Sequence, residues 1–492
     1  MLVLAILLLP IIGSGLLFAL KGTFSKYIAL AVSLVQLLLT IFLWHKFNIN
    51  DTEACQLLLE QPASVLPMLS NIHFGVDSLG ILMVLLTNIL VPIIIYSGLN
   101  DERPSVFYAL ILFMQFGLIG IFTSMDGLLF YIFWEVALIP IWFICGMFGT
   151  GENRLKINLK FFIYTFFGSL FMLVALIYAY LQAGSFDLAK LYQANLSPES
   201  QIFIFWMLFL AFAIKLPIFP FHTWQADTYS MAPTQGSMLL SGIMLKMGVF
   251  GILKLLLPLA PEAVAGSSGI IALVLSIIGI VYASLIAVVQ TDIKRLIAFS
   301  SMAHVGLIAA GIFSSAIIAL NKGSNLAGIE GASIQMLAHG INVVGLFYAA
   351  DILIKRFGTR DLTKMGGLAT KAPFFAVLFM IISLGTMAVP LTNAFIGEFL
   401  LLKGIFNLSI AGAVIAGLTL ILCAVYTTKM YGMSMFGTGD EEFLSKQKDI
   451  ALQPKIGLIV VAILILVMGV YPQPLLTLST ETATQVLSLL IK

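Results

Sequence analysis

Apolar residues along this chain neither alternate nor recur at every third or fourth position. They run nearly unbroken for about 20 residues at a time, pause at a few polar positions, and resume. Folded as a helix, a run of that length crosses the hydrocarbon core of a bilayer, roughly 30 Å thick. About 14 such runs follow one another, in residues 2–20, 26–45, 75–98, 106–124, 128–148, 158–182, 201–219, 237–257, 268–289, 296–314, 332–354, 373–402, 409–428 and 456–474, the twelfth of them interrupted. The pattern predicts an all-α polytopic membrane protein. Its first run, beginning MLVLAILLLP, has no basic flank and no small-residue cleavage pattern, so it is expected to stay as the first span.

Composition agrees: 60% of the 492 residues are hydrophobic and 10% are charged. The net charge of +2 matters less than where the charges fall. With the N-terminus outside, 17 basic residues lie on the inner side, 4 outside and 4 within spans, which predicts that both termini face outward. The richest inner loop is KRFGTRDLTKMGGLATK, residues 355–371. Cys55, Cys145 and Cys423 are isolated, and no CxxC spacing, phosphate loop or GxGxxG turn occurs. No cofactor, metal or redox centre is therefore expected in this chain. The basic residues form no stripe beyond the inner loops, so nucleic acid is not an expected partner.

Charges inside the spans carry the chemistry. Glu135 lies in FYIFWEVALIP, Lys215 in AFAIKLPIFPFHTW, Lys246 and Lys254 in SMLLSGIMLKMGVFGILKLL, and Glu398 and Lys403 in NAFIGEFLLLKG. Each costs roughly 2.5–3.5 kcal/mol near a helix centre, so such residues face a protein interior or water and mark ion paths. Lys246 is about 14 Å into its span by the helical rise, too deep to snorkel out, whereas Lys254 is nearer the outer end and can. The plainer alternative, ion pairs that only staple helices, weakens as charges of opposite sign accumulate on separate spans.

Prolines break the same spans. Pro217 and Pro220 cannot donate to the carbonyls of Ala213 and Leu216, which predicts two freed acceptors around Lys215. Pro390 interrupts the span that carries Glu398. The broken spans are the seventh and twelfth, an odd number apart, so two five-helix units are expected in inverted orientation. The organisation expected is residues 1–105 as three leading spans, 106–260 as the first unit, 261–430 as the second, and 431–492 as an inner loop with the last span. His304 and His339, both within apolar sequence, can relay protons between the units or serve as hydrogen-bonded structural residues. His222 is expected to tie the broken helix. Asp77, Asp126 and Asp292 stand where helix caps belong, with Lys294 and Arg295 beside the last of them.

Together, FYIFWEVALIPIWF, PFHTW, APTQGSMLLSGIMLKMG, QTDIKRLIAFSSMAHVGL and NAFIGEFLLLKG resemble the antiporter-like proton-pumping subunits of respiratory complex I, from about residue 75 to 430. Glu at position 398 resembles the M type, the counterpart of mitochondrial subunit 4, rather than the L or N types. The resemblance implies that Glu135 and Lys215 are a coupled pair, that Lys246 is the central lysine, that Glu398 exchanges protons in the second unit, and that His304 and His339 connect them. It further implies NADH, FMN, iron-sulfur clusters and quinone on partner subunits. L-like and N-like membrane neighbours, a peripheral redox arm and a bacterial cytoplasmic membrane are implied as well. TWQADTY, Phe299 and Lys403 depart from the family pattern. A cation/proton antiporter subunit of the Mrp type, a membrane-bound hydrogenase subunit and a passive membrane scaffold are the alternatives.

Overall fold

The structure, a computed structural model, describes residues 1–20, 22, 24–48, 56–62, 71–323, 325–438 and 441–491. Among them, thirteen helices are long and apolar enough to cross a membrane. An interrupted pair supplies one more, so the described residues hold the expected 14 spans. Spans 1 to 6 are Leu2–Ala19, Ser25–Lys46, Ser78–Ser97, Ser105–Thr123, Gly127–Phe148 and Arg154–Ala183. Span 7 is Pro198–Lys215, followed after a break by the short helix Gln225–Met231. Spans 8 and 9 are Thr234–Leu259 and Ser267–Val289, and spans 10 and 11 are Ile293–Lys322 and Ala327–Phe357. Span 12 consists of Pro373–Thr386 and Asn393–Leu408, and Ile410–Met435 and Leu452–Val470 complete the set. Cys55 lies outside the described residues.

Spans 3, 4, 8, 10 and 11 are 83–94% buried, whereas spans 1, 2, 6, 13 and 14 are at most 39% buried and present Leu, Ile, Val and Phe outward. The first set is thus an interior row screened from lipid by the second. Asp77, Asp126 and Asp292 are caps, as their positions indicate: each carboxylate accepts from a backbone N–H in the first turn of spans 3, 5 and 10, Gly80 N–H at 2.7 Å in the first case.

The breaks are less open than the sequence suggests. Ile218 N–H donates to the Ala213 carbonyl at 2.9 Å, and the Trp224 indole N–H donates to that of Ile214 at 2.9 Å. The acceptor at Ala213, expected to be free, is therefore taken by the chain itself, because the turn after Lys215 folds back on the helix end. In span 12, Ala388 and Leu391 adopt left-handed backbone, φ 52° and 72°, a conformation that L residues rarely hold unless their surroundings impose it.

Two elements stand outside the 14 expected spans. An antiparallel hairpin, β1 (Gln56–Pro62) and β2 (Asn71–Val76), follows span 2. Its strand β2 meets the chain at the end of span 4, where Met125 N–H donates to the His73 carbonyl at 3.1 Å. A last helix, Gln473–Leu490, buries Leu475, Leu478, Val486, Leu487 and Leu490 along one side. It crosses the same face of the protein, where Thr482 donates to the Ser78 hydroxyl at 2.9 Å. This is the hairpin face; the loops richest in Lys and Arg lie on the other.

Small residues let the interior spans touch. A Cβ at Gly331 of span 11 would stand 2.7 Å from Leu401 N and 2.9 Å from the Gly397 carbonyl, so only glycine permits this approach to span 12. Gly331→Val should therefore force the helices apart at a cost of about 1–3 kcal/mol or more. The expected result is a lower melting temperature of the detergent-solubilised protein, measured by loss of monodisperse material on heating.

Candidate functional site

Both breaks deliver a charged side chain to the protein interior. Lys215 is the last residue of the first half of span 7, and its side chain is buried. Gly248 of span 8 makes room for it: a Cβ there would meet Leu216 Cγ at 2.8 Å and Lys215 Cβ at 3.4 Å. Lys215 Nζ lies over the ring of Trp134, 5.2 Å from its centre. The next residue on span 5 is Glu135, half-buried. Lys215 Nζ and Glu135 Oε1 have no hydrogen-bond partner, and no ion pair joins the two among the described residues. The structure thus holds these two groups as neighbours without contact.

Lys246 lies two residues beyond a π-helical stretch of span 8, Leu240–Met244, a local widening often found at functional sites. Its ammonium donates to the Ser241 carbonyl at 2.7 Å and to Nδ1 of His339 on span 11, also at 2.7 Å. His339 and His304 of span 10 face one another with ring centres 5.9 Å apart. His304 Nδ1 is 2.8 Å from Glu398 Oε1 on the second half of span 12, and Gln335 donates to the same oxygen at 3.0 Å. All of these side chains are at most 4% exposed. A polar line therefore runs through the interior, Lys246 to His339 to His304 to Glu398, with one gap between the histidines. The gap is a small cavity lined by Ser300, Ser301, His304, Gln335, His339 and Asn342. Unpartnered His339 Nε2, Asn342 Oδ1 and Ser301 Oγ lie among these lining residues.

Of the expected residues, Lys246, His339, His304 and Glu398 are brought into one site, and Lys215 with Glu135 stands beside it. Pro217, Pro220 and Pro390 lie in the two breaks that end the helices near Lys215 and ahead of Glu398. His222 packs its ring against Phe219 and Tyr282 in the first break. Lys254, expected to be able to snorkel, is instead paired with Asp77 across spans 8 and 3. Lys403 is exposed, away from the line.

Sequence reasoning missed Gln335, Asn342 and the contacts of Cys423. Gln335, His339 and Asn342 are spaced four and three apart and so share one face of span 11, a signal present in the sequence. Cys423 gave none. Its Sγ is 3.4 Å from the Thr386 carbonyl at the span 12 break and 3.6 Å from His304 Nε2, a meeting of three distant segments.

Residues 124–423 match the family described as NADH:quinone oxidoreductase/Mrp antiporter, TM. NADH-quinone oxidoreductase subunit M of Rickettsia conorii is 39% identical over 93% of this chain and 91% of its own length. A chain of respiratory complex I from Thermus thermophilus with bound NADH superimposes with a TM-score of 0.90 at 29% identity, covering the whole of both chains. A chain of an Mrp complex from a Dietzia species shares the fold, with a TM-score of 0.85 at 18% identity over 99% of both chains.

Removing Gln335 should expose how far the Glu398–His304 pair depends on it. In Gln335→Leu the carboxylate loses the hydrogen bond from the neutral Gln335 amide, worth about 1.5–3 kcal/mol, the range for bonds to charged groups. The carboxyl stretching band in infrared spectra of the assembled protein should shift, with Glu398→Gln as the control that removes that band.

Proposed function

Since this chain belongs to the NADH:quinone oxidoreductase/Mrp antiporter transmembrane family, we propose that it is the M-type proton-translocating membrane subunit of a respiratory complex I. The observation that carries this reading is the buried line from Lys246 through His339 and His304 to Glu398. Electron transfer from NADH through FMN and iron-sulfur clusters to quinone takes place on partner subunits, and this chain moves protons in response. L-like and N-like antiporter subunits are its membrane neighbours, and the peripheral redox arm is the source of its driving force. The excess of Lys and Arg in the loops opposite the hairpin supports a bacterial cytoplasmic membrane with those loops inside and both termini outside. The two breaks, five spans apart, support the division into inverted five-helix units.

Protonation states along the line follow from the donors. A lysine ammonium can only donate, so His339 accepts at Nδ1 and carries its own proton on Nε2. A proton passed from Lys246 to Nδ1 makes His339 a cation, which then releases the Nε2 proton into the cavity toward His304 and Glu398. Lys246 becomes neutral and can be refilled from Lys215, whose helix end packs on Gly248 of the same span. Glu398, held by His304 and Gln335, receives the charge at the far end.

The switch that drives this exchange is the separation of Glu135 from Lys215. Two unit charges at about 4 Å attract by about 4 kcal/mol at an effective dielectric near 20. Moving one charge against about 150 mV requires about 3.5 kcal/mol, a quantity of the same size. Closing and opening this one pair therefore changes the proton affinity of Lys215 by enough to load it and discharge it. The separated arrangement of the two groups is the one from which Lys215 gives its proton away.

Two experiments test the reading. In vesicles, Lys215→Ala should lower NADH-driven proton pumping by about tenfold or more, the effect of raising one barrier by about 1.4 kcal/mol, while membranes carry normal amounts of the chain. Wild-type pumping by this variant would refute the role of Lys215. Mass spectrometry of the tagged chain purified in mild detergent should also recover flavin and iron-sulfur subunits that oxidise NADH. Recovery of small antiporter subunits alone, or of hydrogenase subunits, would overturn the complex I assignment.

A further inference from the structure

Lys254 and Asp77 form a buried ion pair that the line from Lys246 to Glu398 does not use. Their side chains are 12% and 10% exposed. The pair lies toward the hairpin face: Asp77 caps the start of span 3, and Lys254 occupies a second π-helical stretch of span 8, Ile252–Leu256, close to that span's end at Leu259. The last helix of the chain roofs the start of span 3, because the Ser78 hydroxyl donates to Gln485 at 3.0 Å and accepts from Thr482 at 2.9 Å.

A column of aromatic rings fills the space between this pair and Lys215. Lys215 Nζ is 5.2 Å from the centre of the Trp134 ring, and Trp134 is 5.8 Å from Phe130. Phe130 stacks on Phe250 at 6.2 Å with the planes 6° apart, and Lys254 Nζ is 6.0 Å from the centre of Phe250. Phe122 closes the side, edge-on to Phe250 at 5.2 Å. Trp134, Phe130, Phe250 and Phe122 are at most 1% exposed. The one polar atom in these four side chains, the indole N–H of Trp134, has no hydrogen-bond partner.

A lysine thus stands at each end of a dry stack of ring faces, the surfaces that attract cations. We propose that Lys254 and Asp77 are the release pair of the first five-helix unit, and that the Trp134–Phe130–Phe250 column is the gate separating them from Lys215. This rests on the proton-transfer reading of Lys215. Rings that offer water no partner close a path by dewetting, as hydrophobic constrictions do in channels. The π-helical stretch just beyond Phe250 gives the gate a means of moving, since a one-residue shift of its hydrogen bonds re-aims both Phe250 and Lys254. While Lys246 is still charged and takes no proton from it, Lys215 instead gives its proton, with the rings parted, through transient water to the Asp77 carboxylate and becomes neutral. Release of that proton at the hairpin face restores the Asp77 carboxylate and its pair with Lys254, and no other bond changes. A pair that only stapled span 3 to span 8 would not need a water-excluding column behind it.

The test uses the whole complex in proteoliposomes and two assays. Protons moved per NADH oxidised should fall in Lys254→Met, counted per assembled complex. Without NADH, an imposed pH gradient should collapse several-fold faster in Phe250→Ala, and to a smaller degree in Phe250→Leu, than in the wild type. A wild-type ratio in Lys254→Met overturns the release pair, and wild-type retention of the gradient by both Phe250 variants overturns the gate. Should Lys254→Met or Phe250→Ala fail to assemble, Phe250→Leu keeps an apolar side chain at the site, and wild-type retention by it alone overturns the proposal. The leak assay requires no electron transfer, so its outcome is independent of Lys215→Ala; wild-type pumping by that variant refutes the underlying reading instead.

Discussion

In hydrocarbon, a backbone carbonyl or N–H without a partner costs several kcal/mol, and the rest of this structure is arranged around that cost. Two helices stop inside the protein, and groups from elsewhere take up part of what they leave. At the first break the donors are local, Ile218 and the Trp224 indole. At the second they come from other spans as well: Asn342 donates to the Gly385 carbonyl at 2.9 Å, and Cys423 to that of Thr386. The carbonyls so satisfied face the buried row of helices, while the outer side of the second break reaches the surface at Pro390 and Leu391.

Once a helix ends inside the protein, a charged side chain at its end has a place to be. Lys215 occupies the end of one broken helix and Glu398 the first turns beyond the other. Between them, Lys246 and the two histidines lie on helices that are more than four-fifths buried, so each charge is felt by the next with little screening. Lys246 donates to His339, and His304 pairs with Glu398, while Lys215 and Glu135 remain apart. A proton added at one point changes the preferred protonation of its neighbour, and that dependence is the coupling a pump requires.

Much of this arrangement was legible beforehand. A charge within an apolar run is visible by inspection, and Glu135, Lys215, Lys246 and Glu398 stand out for that reason. Prolines within such runs announce a break. Other features could not be read because the partners are far apart in the chain. Lys254 looked able to reach water along its helix; Asp77, 177 residues earlier, holds it inside. Pro217 frees the Ala213 carbonyl in any helix, yet whether Ile218 then takes it depends on how the turn folds back. The hairpin at Gln56–Val76 escaped notice because two short strands carry little periodicity, and such a hairpin is marginal without packing of its own. The last helix escaped because attention to long apolar runs passes over a polar-faced helix whose buried residues recur at three and four positions.

The division between the two levels has a physical basis. Number of spans, their approximate ends, the side on which cations collect and the identity of the intramembrane charges are properties of contiguous stretches, since insertion into a bilayer is decided by about 20 neighbouring residues at a time. Contacts between spans are a different matter. The bond between Lys246 and His339 bridges 93 positions, and that between Cys423 and His304 bridges 119. Lipid tails are as apolar as the helices, so hydrophobicity does not choose which helix meets which; close packing at small residues such as Gly248 and Gly331, and the demand that every buried polar group find a partner, do. Tertiary structure alone therefore decided that separate charges became one line, broken only by the small cavity between the two histidines.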